Sequence, residues 1–213
     1  CGNRIAHCEI YHSDFQAIYA HGNDHVFEYN YIHDVGLDSD DTSAWYLGRD
    51  PSDRGNVIRY NFFRSVGRPG RSVMAVYFDD ATCGVTVSGN VFEHAGSRTA
   101  VFCNGGSDLD VVNNIFVDTP GSAVEMNSYW YVSAYSATLA KQSFGPHGVY
   151  RHRLTELLDI KRPPDRTRYP LLADWMDPIP VTADFVGMRP RRNVMTRNVI
   201  VGPSPARKFR GNY

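Results

Sequence analysis

Two short sequence patterns alternate strictly along this chain, and their alternation constrains the fold more than any other feature. The first is an apolar residue, two spacers, Asn, one spacer, then Ile or Phe. It reads Phe27/Asn30/Ile32, Ile58/Asn61/Phe63, Val87/Asn90/Phe92, Val111/Asn114/Phe116 and Met195/Asn198/Ile200. A sixth copy, Ile5/Cys8/Ile10, carries Cys in place of Asn. The second is Ala, an apolar residue, usually an aromatic, then another apolar residue. It begins at Ala17, Ala44, Ala75, Ala100 and Ala123. From Cys8 to Asn114 the steps are 22, 31, 29 and 24 residues, so the variation falls in the connections. Neither pattern has helical spacing. A two-strand unit of this length, stacked with insertions on one side, is an all-β parallel solenoid.

The Asn series has a physical reason to keep register. A buried amide left unpaired costs roughly 1–3 kcal/mol. Asn stacked on Asn in successive coils bonds its neighbours above and below, as side-chain ladders do in cross-β stacks. The plainer alternative is that Asn marks turns, but five copies in one register favour the ladder.

The stretches GNVIRYNFF (55–63), GVTVSGNVF (84–92) and DLDVVNNIF (108–116) resemble the right-handed parallel β-helix proteins of the pectin-lyase-like superfamily. The resemblance covers about residues 2–127 and 192–213. It implies a right-handed parallel β-helix, and a carbohydrate-active, secreted, periplasmic or cell-surface protein. The segments GRD (48–50), YFDD (77–80) and NGG (104–106) resemble those of little-characterised bacterial β-helix repeat proteins. The superfamily holds glycosidases with paired acids and lyases that use calcium with a Lys or Arg base. This sequence departs from both. It has no polygalacturonase-like NTD and GHG pair, and RPPDR (162–166) only loosely resembles the pectate-lyase RxPxxR.

A chain of 213 residues is most simply one domain. A formal net charge of −1 gives no bulk electrostatic support for a nucleic-acid or anionic-membrane partner. No apolar run reaches membrane-span length, and no signal peptide is visible. A repeat is already under way at Gly2 and another lies close to the end, so a processed chain or a piece of a longer one is expected. The four cysteines form no framework. Cys8 and Cys103 lie three coils apart, roughly 14 Å at strand spacing, too far for a disulfide. Cys1 and Cys83 have no evident partner. Buried free thiols are the expectation for all four.

The acidic connection GLDSDDTS (36–43), with Asp38, Asp40 and Asp41, lacks the closing Glu of a calcium loop and reads as solvated. A basic connection, GRPGRS (67–72), follows one coil later. From 128 to 191 the rhythm stops. That insertion starts with SYWYVSAY, predicts a short helix around 151–160, and continues through the Pro-rich stretch 161–180. A segment this long is expected to be a lid or a brace across the solenoid.

Side-chain parity in the Ala series locates the candidate site. Ile18, Trp45, Val76, Val101 and Val124 form one inward column, and Ala20, Leu47, Phe78, Cys103 and Met126 another. The outward face then carries three columns. The Ala residues make a small-residue floor. Tyr19, Tyr46, Tyr77, Phe102 and Glu125 make a wall, and His21, Gly48, Asp79, Asn104 and Asn127 a rim. Arg49, Asp50 and Asp80 stand at its edge. Such a trough suits a polysaccharide or oligosaccharide, with aromatics against ring faces and polar groups on hydroxyls. A tyrosine ladder that merely stacks strands is the plainer alternative.

Asp79, Asp80 and Glu125 are the candidate catalytic acids of a glycoside hydrolase. Asp79 and Asp80 beside Glu125, two coils away, could close to the roughly 6.5–9.5 Å of an inverting pair. Tyr19, His21, Tyr46, Arg49, Tyr77, Phe102, Asn104 and Asn127 are the candidate substrate-binding residues. No cofactor or metal is expected for a hydrolase. A lyase variant would hold calcium on Asp79 and Asp80, with Arg49 or an insertion residue as base. A glycan-binding β-helix without catalysis and a structural spacer complete the alternatives.

Overall fold

A computed structural model describes residues 2–127, 134–178, 187, 189–203 and 207–210. Each coil contributes three short strands rather than two. The first coil holds β1 (Arg4–Ala6), β2 (Glu9–Ser13) and β3 (Ile18–Tyr19), and the second β4 (Val26–Glu28), β5 (Tyr31–Val35) and β6 (Thr42–Gly48). The third holds β7 (Asn56–Arg59), β8 (Phe62–Val66) and β9 (Val73–Asp79), and the fourth β10 (Val85–Ser88), β11 (Val91–Ala95) and β12 (Thr99–Asn104). The fifth holds β13 (Asp110–Val112), β14 (Ile115–Val117) and β15 (Ser122–Asn127), and the sixth β16 (Val194–Thr196), β17 (Val199–Val201) and β18 (Arg207–Arg210). Equivalent strands pair in parallel, giving three six-stranded sheets.

The third strand comes from a break inside the Asn pattern. In each coil the residue before the ladder position adopts a left-handed conformation: His7, Tyr29, Tyr60, Gly89, Asn113 and Arg197 all have φ between 55° and 67°. The chain turns sharply there, so VTVSGNVF is two strands on two sheets. Five of these six residues are not glycine and carry strain at positive φ. The Asn that follows stabilises the corner. Asn30 Nδ2 donates to Asn61 Oδ1 at 2.9 Å, Asn61 to Asn90 at 3.0 Å, Asn90 to Asn114 at 3.0 Å and Asn114 to Asn198 at 3.1 Å. Each of these side-chain oxygens also accepts the backbone N–H of the ladder residue one coil earlier. Cys8 only supplies its N–H to Asn30, and its thiol is exposed rather than buried. Cys83 and Cys103 are buried and free, and Cys1 lies outside the described residues. Two further amides, absent from the sequence reading, stand at the corner before that of the ladder, in the third and sixth coils. Asn56 Oδ1 accepts the N–H of His25, and Asn193 Oδ1 accepts that of Leu109.

The core is the apolar interior of the coils, with Phe63, Phe92 and Phe116 stacked at 4.9 and 5.0 Å. Both predicted inward columns lie in it. The Ala column lies there too. Ala44, Ala75, Ala100 and Ala123 are fully buried in the core, so they are not the floor of an outward trough. The physical reason is a slip in the alternation. Cα pairing lapses at each of these Ala residues, and Ala75 and Val76 face inward in succession. Met74, on the other side of the slip, packs outward with Tyr77 and Phe102.

The insertion carries its own structure. It holds α1 (Ala134–Phe144), α2 (Val149–His152), which runs into a π-helical turn at Arg153–Leu157, and α3 (Asp165–Arg168), followed by a 3₁₀ turn at Pro170–Leu172. The predicted helix at 151–160 is therefore found two to three residues earlier, over 149–157, and α1 precedes it. These turns close a small core in which Phe144, Leu154, Ile160, Leu172 and Trp175 bury Ala81 and Cys83 of the solenoid. Residues 128–133, most of the aromatic start, lie outside the described residues, as does the end of the Pro-rich stretch.

Candidate active site

The outward face of the β3–β6–β9 end of its sheet opens into a groove of about 490 Å³. Of the sequence candidates, Tyr19, His21, Tyr46, Arg49 and Asp79 line it. Tyr19 and Tyr46 stack at 5.3 Å with rings 10° from parallel, because parallel strands in register repeat the same side chain on the same face. The wall closes as the coils advance. Tyr19 is 61% exposed, whereas Tyr77, Phe102 and Glu125 are 4%, 2% and 1% exposed.

Glu125 does not join the acids in this groove. Arg98 lies 4.1 Å above the Phe102 ring and reaches Glu125 Oε1 at 3.4 Å, which covers the end of the column. Phe102 is buried beneath the same guanidinium, and Asn104 and Asn127 are also buried and outside the groove lining. Asn104 instead supports the acids. Its Nδ2 donates to Asp79 Oδ1 at 2.9 Å and to Asp80 Oδ1 at 3.3 Å.

Asp79 is 7% exposed, and its Oδ2 is 2.7 Å from the Tyr46 hydroxyl. Gly48 makes that contact possible. A Cβ there would stand 2.6 Å from the Tyr46 hydroxyl and 3.1 Å from Asp79 Cβ. Burial, then the Asp79 charge, pushes the Tyr46 phenol far above its ordinary pKa, and the same causes act on Tyr77. Asp80 Oδ2 accepts from Arg49 Nε at 3.1 Å. Burial opposes the Arg49 charge, but Asp80 and Asp79 outweigh it and raise the pKa. Both acids thus face N–H and O–H donors rather than forming the six- to eight-oxygen cage that calcium takes. Among the described residues no group of three or more His, Cys, Asp or Glu side chains could hold a metal ion. The acidic connection is neutralised by the basic one: Arg71 reaches Asp38 at 2.8 Å and Asp40 at 2.9 Å.

Four lining residues escaped the sequence reading as parts of the site. Phe15 and Gln16 come from the β2–β3 connection. Asp41, read as loop, turns its Oδ1 to the Tyr77 hydroxyl at 3.3 Å. Tyr150 overhangs from α2, and its pKa is raised by burial. The insertion is fixed there by an ion pair between Arg153 and the buried Asp50, and by the Tyr169 hydroxyl donating to Asp24 Oδ2 at 2.8 Å. His21 Nδ1 lies 2.6 Å from Asp53 Oδ2, and its Nε2 lies 3.0 Å from the Tyr19 hydroxyl.

No described helix is long and apolar enough to cross a membrane. The family profile of the right handed beta helix region matches residues 1–135. No curated protein and no solved structure matches the chain.

Proposed function

The chain belongs to the right-handed β-helix family, and on that footing we propose that it is a carbohydrate-active enzyme, a glycoside hydrolase acting on a polysaccharide or oligosaccharide. One observation carries the reading. A stacked tyrosine pair, Tyr19 and Tyr46, shares a groove with the buried carboxylate of Asp79, which the Tyr46 hydroxyl meets at 2.7 Å. The two rings stack on each other at 5.3 Å, so the exposed Tyr19 can take a sugar ring against its open side while Tyr46 presents its edge and hydroxyl to the glycan.

Asp79 is the proton-transferring carboxylate, and Arg49 with Asp80 orients hydroxyls at the rim. Tyr150 makes the insertion the outer wall of the groove, so it acts as a lid as well as a brace. Glu125 drops out of the catalytic pair because it sits under Arg98. The proposed place of action is secreted, periplasmic or cell-surface, where such glycans are met.

A polysaccharide panel scored for new reducing ends tests this reading. The hydrolase is expected to release reducing ends without an ultraviolet-absorbing unsaturated product, with Asp79→Asn lowering turnover about 10²-fold or more. An unsaturated product would make the enzyme a lyase. Binding without turnover would make it a glycan-binding β-helix. Either result overturns the hydrolase.

A further inference from the structure

A hydrolase built on Asp79 needs a second reacting group, and Glu125 does not line the groove. Asp80 is turned toward Arg49 and Asn104, and Asp41 toward the Tyr77 hydroxyl. Tyr19 is placed differently. Its hydroxyl lies 3.0 Å from His21 Nε2, and His21 Nδ1 lies 2.6 Å from the carboxylate of Asp53, whose side chain is only 10% exposed. A strand end and two coil connections converge here: Tyr19 ends β3, His21 lies in the turn after it, and Asp53 sits in the turn after β6.

The chemistry of the chain of contacts has a direction. A carboxylate only accepts, so Asp53 holds the imidazole proton on Nδ1. The lone pair then stands on Nε2, facing the Tyr19 O–H. A weak nucleophile, a base within hydrogen-bond reach and a third group orienting the base is the general signature of nucleophilic catalysis. A tyrosine can fill the nucleophile's place in glycoside hydrolysis.

We propose that Tyr19 is the catalytic nucleophile of this groove, with His21 as its base and Asp53 as the positioning residue that fixes the His21 tautomer. The proposal rests on the hydrolase reading above. In the first step the Tyr19 oxygen bonds the anomeric carbon while its proton passes to His21 Nε2. The bond from the anomeric carbon to the leaving oxygen breaks, and that oxygen takes a proton from Asp79, which enters this step as the carboxylic acid and leaves it as the carboxylate. In the second step water attacks the same carbon and gives its proton to Asp79. The bond to Tyr19 breaks, and Tyr19 recovers its proton from His21. The balance is one glycosidic bond and one water consumed, with two displacements and net retention of configuration.

Two measurements decide it, and the first needs no substrate. Long-range ¹H–¹⁵N NMR of the intact chain is expected to show His21 protonated on Nδ1 and bare on Nε2, with that preference lost in Asp53→Asn. An Nε2-protonated His21 in the wild-type chain overturns the proposal whatever the activity. The second measurement uses the glycan found active in the panel. Tyr19→Phe is expected to lower kcat about 10³-fold with KM little changed. His21→Ala is expected to fall similarly and to recover in part with added imidazole, which a merely structural loss would not do. Glu93→Gln, on a different sheet of the solenoid, is expected to stay within tenfold of wild type, and the product anomer to be retained. An inverted product, or full activity in Tyr19→Phe, overturns Tyr19 as nucleophile while leaving the hydrolase standing. No turnover by the wild type on any glycan overturns the hydrolase, and the catalytic role of Tyr19 with it. The tautomer then separates that failure from the absence of the relay.

Discussion

Asn90→Ala is the sharpest perturbation of the scaffold that holds the groove. Asn90 is fully buried and its side chain makes five hydrogen bonds, the longest from Nδ2 to the Ser88 carbonyl at 3.3 Å. Its Oδ1 accepts the Asn61 backbone N–H at 2.9 Å and the Asn61 amide at 3.0 Å. Its Nδ2 donates to the Ile58 carbonyl and to Asn114 Oδ1, each at 3.0 Å. Truncation spares some partners, since Asn61 Nδ2 keeps the Phe27 carbonyl and Asn114 Oδ1 keeps the Asn90 N–H. It takes the side-chain partner from the Asn61 N–H and the Ile58 carbonyl, both too deep for water. At about 1–3 kcal/mol for each buried group, the expected loss is about 2–6 kcal/mol. Asn30→Ala makes the control. Its Oδ1 serves only the N–H of the half-exposed first coil at Cys8, where water can substitute, so about 1–2 kcal/mol is expected. Urea unfolding followed by circular dichroism reads both, as a lower midpoint at unchanged slope. Equal losses at the two positions, or a loss below about 1 kcal/mol at Asn90, would refute the ladder as a source of stability.

Three further outcomes follow from the same geometry. Gly48→Ala forces a Cβ against the Tyr46 hydroxyl, so the Tyr46–Asp79 contact opens and turnover falls about 10²-fold; turnover within threefold of wild type would show the contact to be idle. His33 lies between Asp34 at 2.7 Å and Glu9 at 3.1 Å, and these bonds, Asp34 first, raise its folded pKa above 6.5. The stabilisation is therefore complete below about pH 6.5 and lost as pH rises through the raised pKa. Melting temperature should decline over that window in the wild type and hold flatter in His33→Gln; parallel curves would contradict the assignment. Arg153→Ala releases α2 from Asp50, so KM for the glycan should rise more than kcat falls, and faster proteolysis within 134–178 should accompany it.

The repeat, its register and the identity of both inward columns were legible in the sequence because parallel coils place equivalent residues in equivalent surroundings. The third strand was not. It depends on a left-handed residue before the ladder Asn, and Tyr29 and Tyr60 at φ 56° give no compositional sign of it. The Ala column misled for a related reason. Alternation predicts outward Ala, and the slip that turns Ala44, Ala75, Ala100 and Ala123 inward exists only in the paired sheets. Tyr19, His21, Tyr46, Arg49 and Asp79 were found as a face. Glu125 shares their column but not their groove, because Arg98 comes from a connection whose path the repeat does not specify. Asp53 and Tyr150 reach the site from irregular segments, and a polar cluster right after GRD (48–50) was the one available hint of the former.

The glycan-binding groove is tested most directly by a crystal structure of Asp79→Asn soaked with an oligosaccharide of the active polysaccharide. The expected result is a sugar ring against the open side of Tyr19 and the edge of Tyr46, with a glycosidic oxygen within hydrogen-bond distance of residue 79 and an anomeric carbon facing the Tyr19 hydroxyl. Sugar bound on another sheet of the solenoid, or alongside Glu125 with the groove empty, would contradict it.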